Sequence, residues 1–337
     1  MKFLIKLVLL IFFVGLILAV VAFFGGVNLG NLGDYFIDNE AYGDPIEYVS
    51  TTTIDTLNVE LDTRNILISV TVGDEFIVTY HEHEKDTWSI DETDGTLTIT
   101  QTTKPVFFNW FNFKTASSEV LTVYIEIPAD LVLNYSLSSN VGFITYVDGP
   151  QSANEIYANS NTGEVQIEDV TMNSLMVRMN TGTITLSNLV ITGDLDAKTD
   201  TGHIELDHLS ADEIILDTDT GRVEMNAISA YQVDARSDTG RVEMNDSVIL
   251  GLVDLSTSTG NVTVVDTVAT GFDLSSSTGN VRFTSATSMD LRYDLETTTG
   301  SVSVNGDDQG SKHSTSTGTI LLKVKVSTGN ITVSVQD

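Results

Sequence analysis

The sequence predicts an all-β protein, a parallel β-solenoid with coils of about 19 residues preceded by one N-terminal transmembrane helix. Three observations predict it. Thr-Gly pairs end at Gly163, Gly182, Gly202, Gly221, Gly240, Gly260, Gly279, Gly300, Gly318 and Gly329, at spacings of 19, 20, 19, 19, 20, 19, 21, 18 and 11. Apolar residues stand two and four positions after each glycine, with mostly polar residues between them. The only four prolines stand at 45, 105, 128 and 150, so residues that cannot donate to a β-ladder are absent from the last 187 positions.

The first element is apolar. Leu7 to Phe24 are eighteen consecutive apolar or glycine positions, preceded by Lys2 and Lys6. As a helix they span roughly 27 Å, close to the hydrocarbon thickness. A cleaved signal peptide is the competing reading, with Ala22 near the cut, but its apolar region needs only about 7 to 15 residues. The length favours a retained anchor over residues 1–26, with the lysines in the cytoplasm and the rest extracytoplasmic. Residues 27–44 read as a polar tether.

Residues 45–141 are β-rich but irregular. Ile66–Val70, Phe76–Tyr80, Thr96–Ile99 and Val123–Ile127 are strand-like runs separated by turn signals at Gly73-Asp74 and Asp94-Gly95. They are expected to form degenerate coils that cap the rod, because an open solenoid end exposes unpaired strand edges.

Residues 142–337 hold the regular coils. Two positions after each glycine stand Val165, Ile184, Ile204, Val223, Val242, Val262, Val281, Val302, Ile320 and Ile331, all β-branched. Four positions after it the residue is again apolar, from Ile167 to Val333. A second alternating segment precedes each glycine, as in Leu195 and Ala197 or Val253 and Leu255. Both have period two and one inward face, so both are strands. The coil is therefore expected to have two strands and two corners, one at the Thr-Gly glycine and one where Gly193, Gly251 and Gly271 fall. Gly329, only eleven residues after Gly318, is a candidate for the second corner of the last coil.

Taken together, the Asp94-Gly95-Thr96-Leu97-Thr98-Ile99 turn and strand, the Ile125-Glu126-Ile127-Pro128 segment leading into Leu131 to Leu137, and the serial Ser/Asp-Thr-Gly-x-Val/Ile-x-apolar units resemble the bacterial putative-adhesin family of β-strand-repeat proteins. The resemblance covers about residues 45–337. It implies an extracytoplasmic β-solenoid on a membrane anchor, in some members linked to envelope stress, with no catalytic residues to carry over.

Composition narrows the chemistry. Net charge is −31, from 47 acids and 16 Lys and Arg, which excludes the basic patch a nucleic acid needs. There is no cysteine, hence no disulfide, thiolate site or Cys nucleophile. The outlier is the stretch from Lys104 to Lys114, where Phe107, Phe108, Trp110, Phe111 and Phe113 interrupt an acidic chain. Aromatics flanked by lysines suit a membrane interface or a partner pocket; the competing reading, and the favoured one, is a hydrophobic cap over the solenoid end. Asp234, Asp254, Asp273 and Asp294 each lie six positions before a glycine, with Asp196 in the same phase and a break at Ile215. Stacked carboxylates repel, and calcium would relieve them, although no calcium-roll motif is present and a solvated acidic face explains the same pattern.

Arg222, Arg241, Glu205, Glu224 and Glu243 crowd around three successive glycines, with Asp219 nearby. Such residues could serve a polysaccharide-cleaving enzyme as acid and base, but repetition on successive coils points to cross-strand ion pairs. His81 and His83 share one strand face, too few ligands for a closed zinc site. No cofactor is implied beyond calcium. The reading is a non-enzymatic, membrane-anchored protein of the cell envelope, adhesin-like, whose partner is a surface polymer or protein. The alternative is an envelope-stress scaffold beside another membrane protein.

Overall fold

The structure, a computed structural model, describes residues 39–50, 52–104 and 116–336. The expected anchor over 1–26 and most of the tether lie outside the described residues. Among the described residues no helix is long and apolar enough to cross a membrane. Apart from the four-residue helix Ser118–Leu121, the regular elements there are strands.

Coils stack in parallel and in register, like over like. The Gly182 coil lies on the Gly163 coil with Val177 opposite Ala158, Ile184 opposite Val165 and Leu186 opposite Ile167. The Gly202 coil repeats this on the next level. All six of those apolar side chains are fully buried. One continuous column of β-branched and aliphatic residues thus forms the core, because a 19- or 20-residue coil returns each inward position to itself. A second column is polar. Ser139, Ser160, Ser237, Thr257 and Ser276, three residues before their corner, are buried. Each donates its hydroxyl to the backbone carbonyl at the corner of the neighbouring coil, for example Ser237 Oγ to Gly221 O at 3.0 Å and Ser276 Oγ to Gly260 O at 2.9 Å. Corner carbonyls taken from water are satisfied in this way.

The coil has three faces, not the expected two. The second corner comes six residues after the glycine, at a left-handed residue: Asp148, Asp169, Asn188, His208, Ala227, Asp246 and Asp266, with φ between 46° and 57°. Asp and Asn tolerate that conformation best among non-glycine residues, which is why they dominate the column. A two-residue strand follows, as in Thr171–Met172 against Val190 and Ile191, or Val248–Ile249 against Ser229 and Ala230. Gly193 and Gly251 then mark a third corner.

Each end of the stack is closed by a coil that arrives out of sequence order. At the N-terminal end the strands Thr56–Leu61 and Asn65–Thr71 make a coil under Asn134–Tyr146. The chain then runs to the outer edge as Ile77–Tyr80 and Asp86–Thr93, and returns as Thr96–Thr103 and Thr122–Pro128 to fill the level between. Ile46–Val49 pairs antiparallel outside Ile77–Tyr80. The ion pair Arg64–Asp86, with side chains 3% and 1% exposed, joins the first coil to the outer strand. The hydroxyls of Tyr48, Ser50 and Thr52 each donate to Glu92 at 2.5 Å, which holds its carboxyl down at about 2.

The C-terminal end uses the same device. Ile320–Thr328 lies between Gly271–Thr278 and Leu291–Thr299. Ile331–Val335 lies between Val281–Ser285 and Val302–Val304. Gly329 therefore belongs to the first-corner column, between Gly279 and Gly300, and Gly318 does not. The spacing of eleven arises because Gly318 sits in the connection that carries the chain back. Short antiparallel strands, Lys312–Ser314 and Asp307–Asp308, cover the outer level. Antiparallel caps at both ends leave no long parallel edge open.

Candidate functional site

Of the residues singled out in the sequence, Phe107, Phe108, Trp110, Phe111 and Phe113 lie outside the described residues. The Asp column is present but not continuous. Asp234, Asp254 and Asp273 are register neighbours, and Lys323 of the intercalated coil stands between Asp273 and Asp294. The spacing alone places Asp294 beside Asp273; the out-of-order coil separates them. Two of the three neighbours have cations. Arg236 Nε donates to Asp234 Oδ1 at 3.0 Å, and Lys323 Nζ donates to Asp273 Oδ2 at 2.5 Å. Asp254 has no ion-pair partner among the described residues, and its pKa is raised by burial, then by Asp234 and Asp273 on either side. No group of three metal-ligating side chains occurs among the described residues.

A sign follows for stability. A carboxyl whose folded pKa is raised takes up its proton earlier in the native state, so its charge costs stability at neutral pH and the cost fades as pH falls through the folded value. Asp254→Asn is expected to raise stability at pH 7 by a few tenths to about 1 kcal/mol, the size of a cross-strand like-charge term, and to flatten the pH dependence from neutral pH down through the acidic range. Thermal melts of both proteins across that range check it; a lower melting temperature at pH 7 for the Asn variant refutes it.

The Arg and Glu cluster is a ladder of ion pairs. Arg222 bonds Glu205 at 2.7 Å and lies 3.3 Å from Glu224, which also meets Arg241 at 3.1 Å. His81 Nδ1 lies 2.9 Å from the carbonyl of Gly43, and His83 Nδ1 accepts from the Lys85 backbone N–H.

The feature sequence reasoning missed is on the third face. Val248 and Val268 are exposed there, with Tyr231 and Leu250 at the third corner beside them and Leu252 at the start of the strand that follows it; Leu250 is 68% and Tyr231 62% exposed. They occupy outward positions of adjacent coils: Val248 bridges Val268, and Tyr231 and Leu250 face the same side. Beside them runs a groove of about 680 Å³, lined by Ile191, Asp212, Glu213, Tyr231 and Leu250 among others. Its lining mixes apolar side chains with the carboxylates of Asp194, Asp212 and Glu213. The signal was available in Val248-Ile249-Leu250, three large apolar residues in a row where alternation allows only one inward.

The Toastrack DUF4097 profile matches residues 54–249, from the first coil to the strand that carries Val248. The chain belongs to the Toastrack DUF4097 family. Solved structures with similar folds include a putative adhesin from Parabacteroides merdae (13% identity, TM-score 0.45, covering 88% of this chain and 97% of that one). A putative adhesin from Bacteroides fragilis (11%, 0.41, 88% and 99%) and a putative lipid binding protein from Parabacteroides distasonis (15%, 0.43, 71% and 94%) are also similar. No curated protein matches. The Toastrack match contains Tyr231 and Val248, while Leu250, Leu252, Val268 and the intercalated C-terminal coil lie beyond it.

Proposed function

We propose that this protein is a cell-surface binding protein: a β-solenoid held outside the membrane by Leu7 to Phe24, whose third face docks a polymer or protein of the envelope. The carrying observation is the apolar strip of Tyr231, Val248, Leu250, Leu252 and Val268. Contiguous exposed apolar side chains rimmed by charge are what interaction surfaces present, and a stack of registered coils holds them rigidly, so little ordering entropy is lost on binding. Asp212 and Glu213 beside the groove favour a partner that brings cations. The reading needs no catalytic residue and no cofactor.

The experiment is saturable binding of the labelled protein lacking residues 1–26 to whole cells and isolated envelope, with and without calcium. Saturable binding is expected, and Leu250→Ser is expected to weaken it about tenfold, about 1.4 kcal/mol, with the melting temperature little changed because the side chain is already wet. Unaltered affinity in Leu250→Ser removes the strip from the reading. Calcium dependence brings in the Asp column. If binding requires the anchored chain beside another membrane protein, the scaffold alternative takes its place.

A further inference from the structure

The intercalated coil points to a mode of self-association. We propose that the level between the Gly279 and Gly300 coils is a strand-acceptor slot, and that Ile320–Gln336 of a second copy fills it, joining two chains by exchange. The proposal is independent of the apolar strip, which lies on other coils.

The first argument is topological. Ile320–Thr328 and Ile331–Val335 pair on both sides with strands that precede them in the chain. Their inward side chains Leu322, Val324, Val326, Ile331 and Val333 are buried. Lifting the segment out leaves two facing rows of unpaired backbone groups roughly two strand spacings apart, about 10 Å, a template for an extended chain.

The second argument is electrostatic. If the gap closed by dropping the Gly300 coil onto the Gly279 coil, Asp294 would meet Asp273. The native occupant instead sets Lys323 opposite both, and Lys325 opposite Ser275 and Glu296. Lys323-Val324-Lys325 is the only Lys-x-Lys in the sequence, so no other coil of the chain carries the same key. The slot selects this segment, from its own chain or from another.

The third argument is the hinge. The connection Thr315–Thr319 holds Gly318 at φ +116°, where a Cβ would lie 2.4 Å from the carbonyl carbon of Leu291. The segment is thus folded back through a connection that leaves no room for a side chain at Gly318. Val326, like Met179 in the Gly182 coil, stands where most coils place the Ser or Thr that bonds a corner carbonyl, so the Gly279 carbonyl lacks that tie. Exchange keeps every native contact within the slot, leaving association entropy and the hinge to decide the balance. Five hinge residues reach at most about 17 Å, which places the two C-terminal tips side by side. Net charge −31 opposes their approach, so salt favours the exchanged form.

The absence of cysteine makes the test direct. Full-length Thr278→Cys and Thr328→Cys proteins, whose residues are register neighbours in the slot, are mixed in mild detergent at high concentration and 0.5 M salt. They are held just below the melting temperature, cooled and oxidised. Thr239→Cys with Thr328→Cys serves as the collision control. A 278–328 disulfide dimer at least ten times the control yield is expected; equal yields overturn the proposal. Light scattering of the wild-type protein after the same treatment reads exchange without any cross-link. A dimer that survives dilution supports it, and monomer alone overturns it.

Discussion

Gly221→Ala is expected to cost more than about 4 kcal/mol and to abolish the regular middle of the rod. At φ +155° the residue lies in a region that only glycine occupies readily, and a Cβ there would stand 1.5 Å from the carbonyl oxygen of Gly202. The obstruction is backbone held by its own register, with coils stacked above and below. Nothing flexible can move aside, so the change belongs with the rare large losses. Gly306→Ala is the matched control: φ is +89°, but no atom lies within 4 Å, and the expected cost is only about 1–2 kcal/mol. Denaturant unfolding followed by circular dichroism compares them; equal losses would show that backbone conformation, not the glycine stack, sets the penalty.

Asp86→Ala is expected to cost about 3–5 kcal/mol, because it strands the buried Arg64 guanidinium. Asp86 also accepts from Gln101 Nε2 and Thr103 Oγ1, each at 3.0 Å, and Arg64 packs 5.1 Å from the Tyr42 ring. One carboxylate therefore ties the outer strand, the returning coil and the first coil together. Replacing both partners, as in Arg64→Met with Asp86→Leu, is expected to restore most of the loss, since two apolar groups leave no buried charge. A melting temperature for Asp86→Ala within 1 °C of wild type would show that the N-terminal closure does not depend on this pair.

The repeated core was readable because it is local. Val165, Ile184, Ile204 and Val223 alternate with polar residues on the strand after each corner, and all four are fully buried. The third face was not readable from periodicity, since two residues cannot display a period of two; the αL-tolerant column Asp148, Asp169, Asn188, Asp246 and Asp266 was its only trace. Level order escaped for a different reason. Which coil lies on which is a long-range pairing, and the sequence marks it only by the uneven spacings of 21, 18 and 11 and by Lys323 in an acidic column. The Asp column was accordingly placed correctly in phase and wrongly in continuity. The apolar strip escaped because inward positions were followed and outward ones were not.

The closure of both tips by returning chain has a consequence for how such molecules vary in length. Tips and shaft are separate problems: each tip is a fixed knot of pairing that a single coil cannot reproduce, whereas the coils between Gly163 and Gly260 meet their neighbours above and below through the same glycine corner and parallel register. Removing one whole coil shortens the shaft by about 4.8 Å and leaves every remaining neighbour in phase, while removing half of one leaves none. The shaft therefore behaves as a graduated ruler between two finials, and the distance it spans can be reset one notch at a time without redesigning either end.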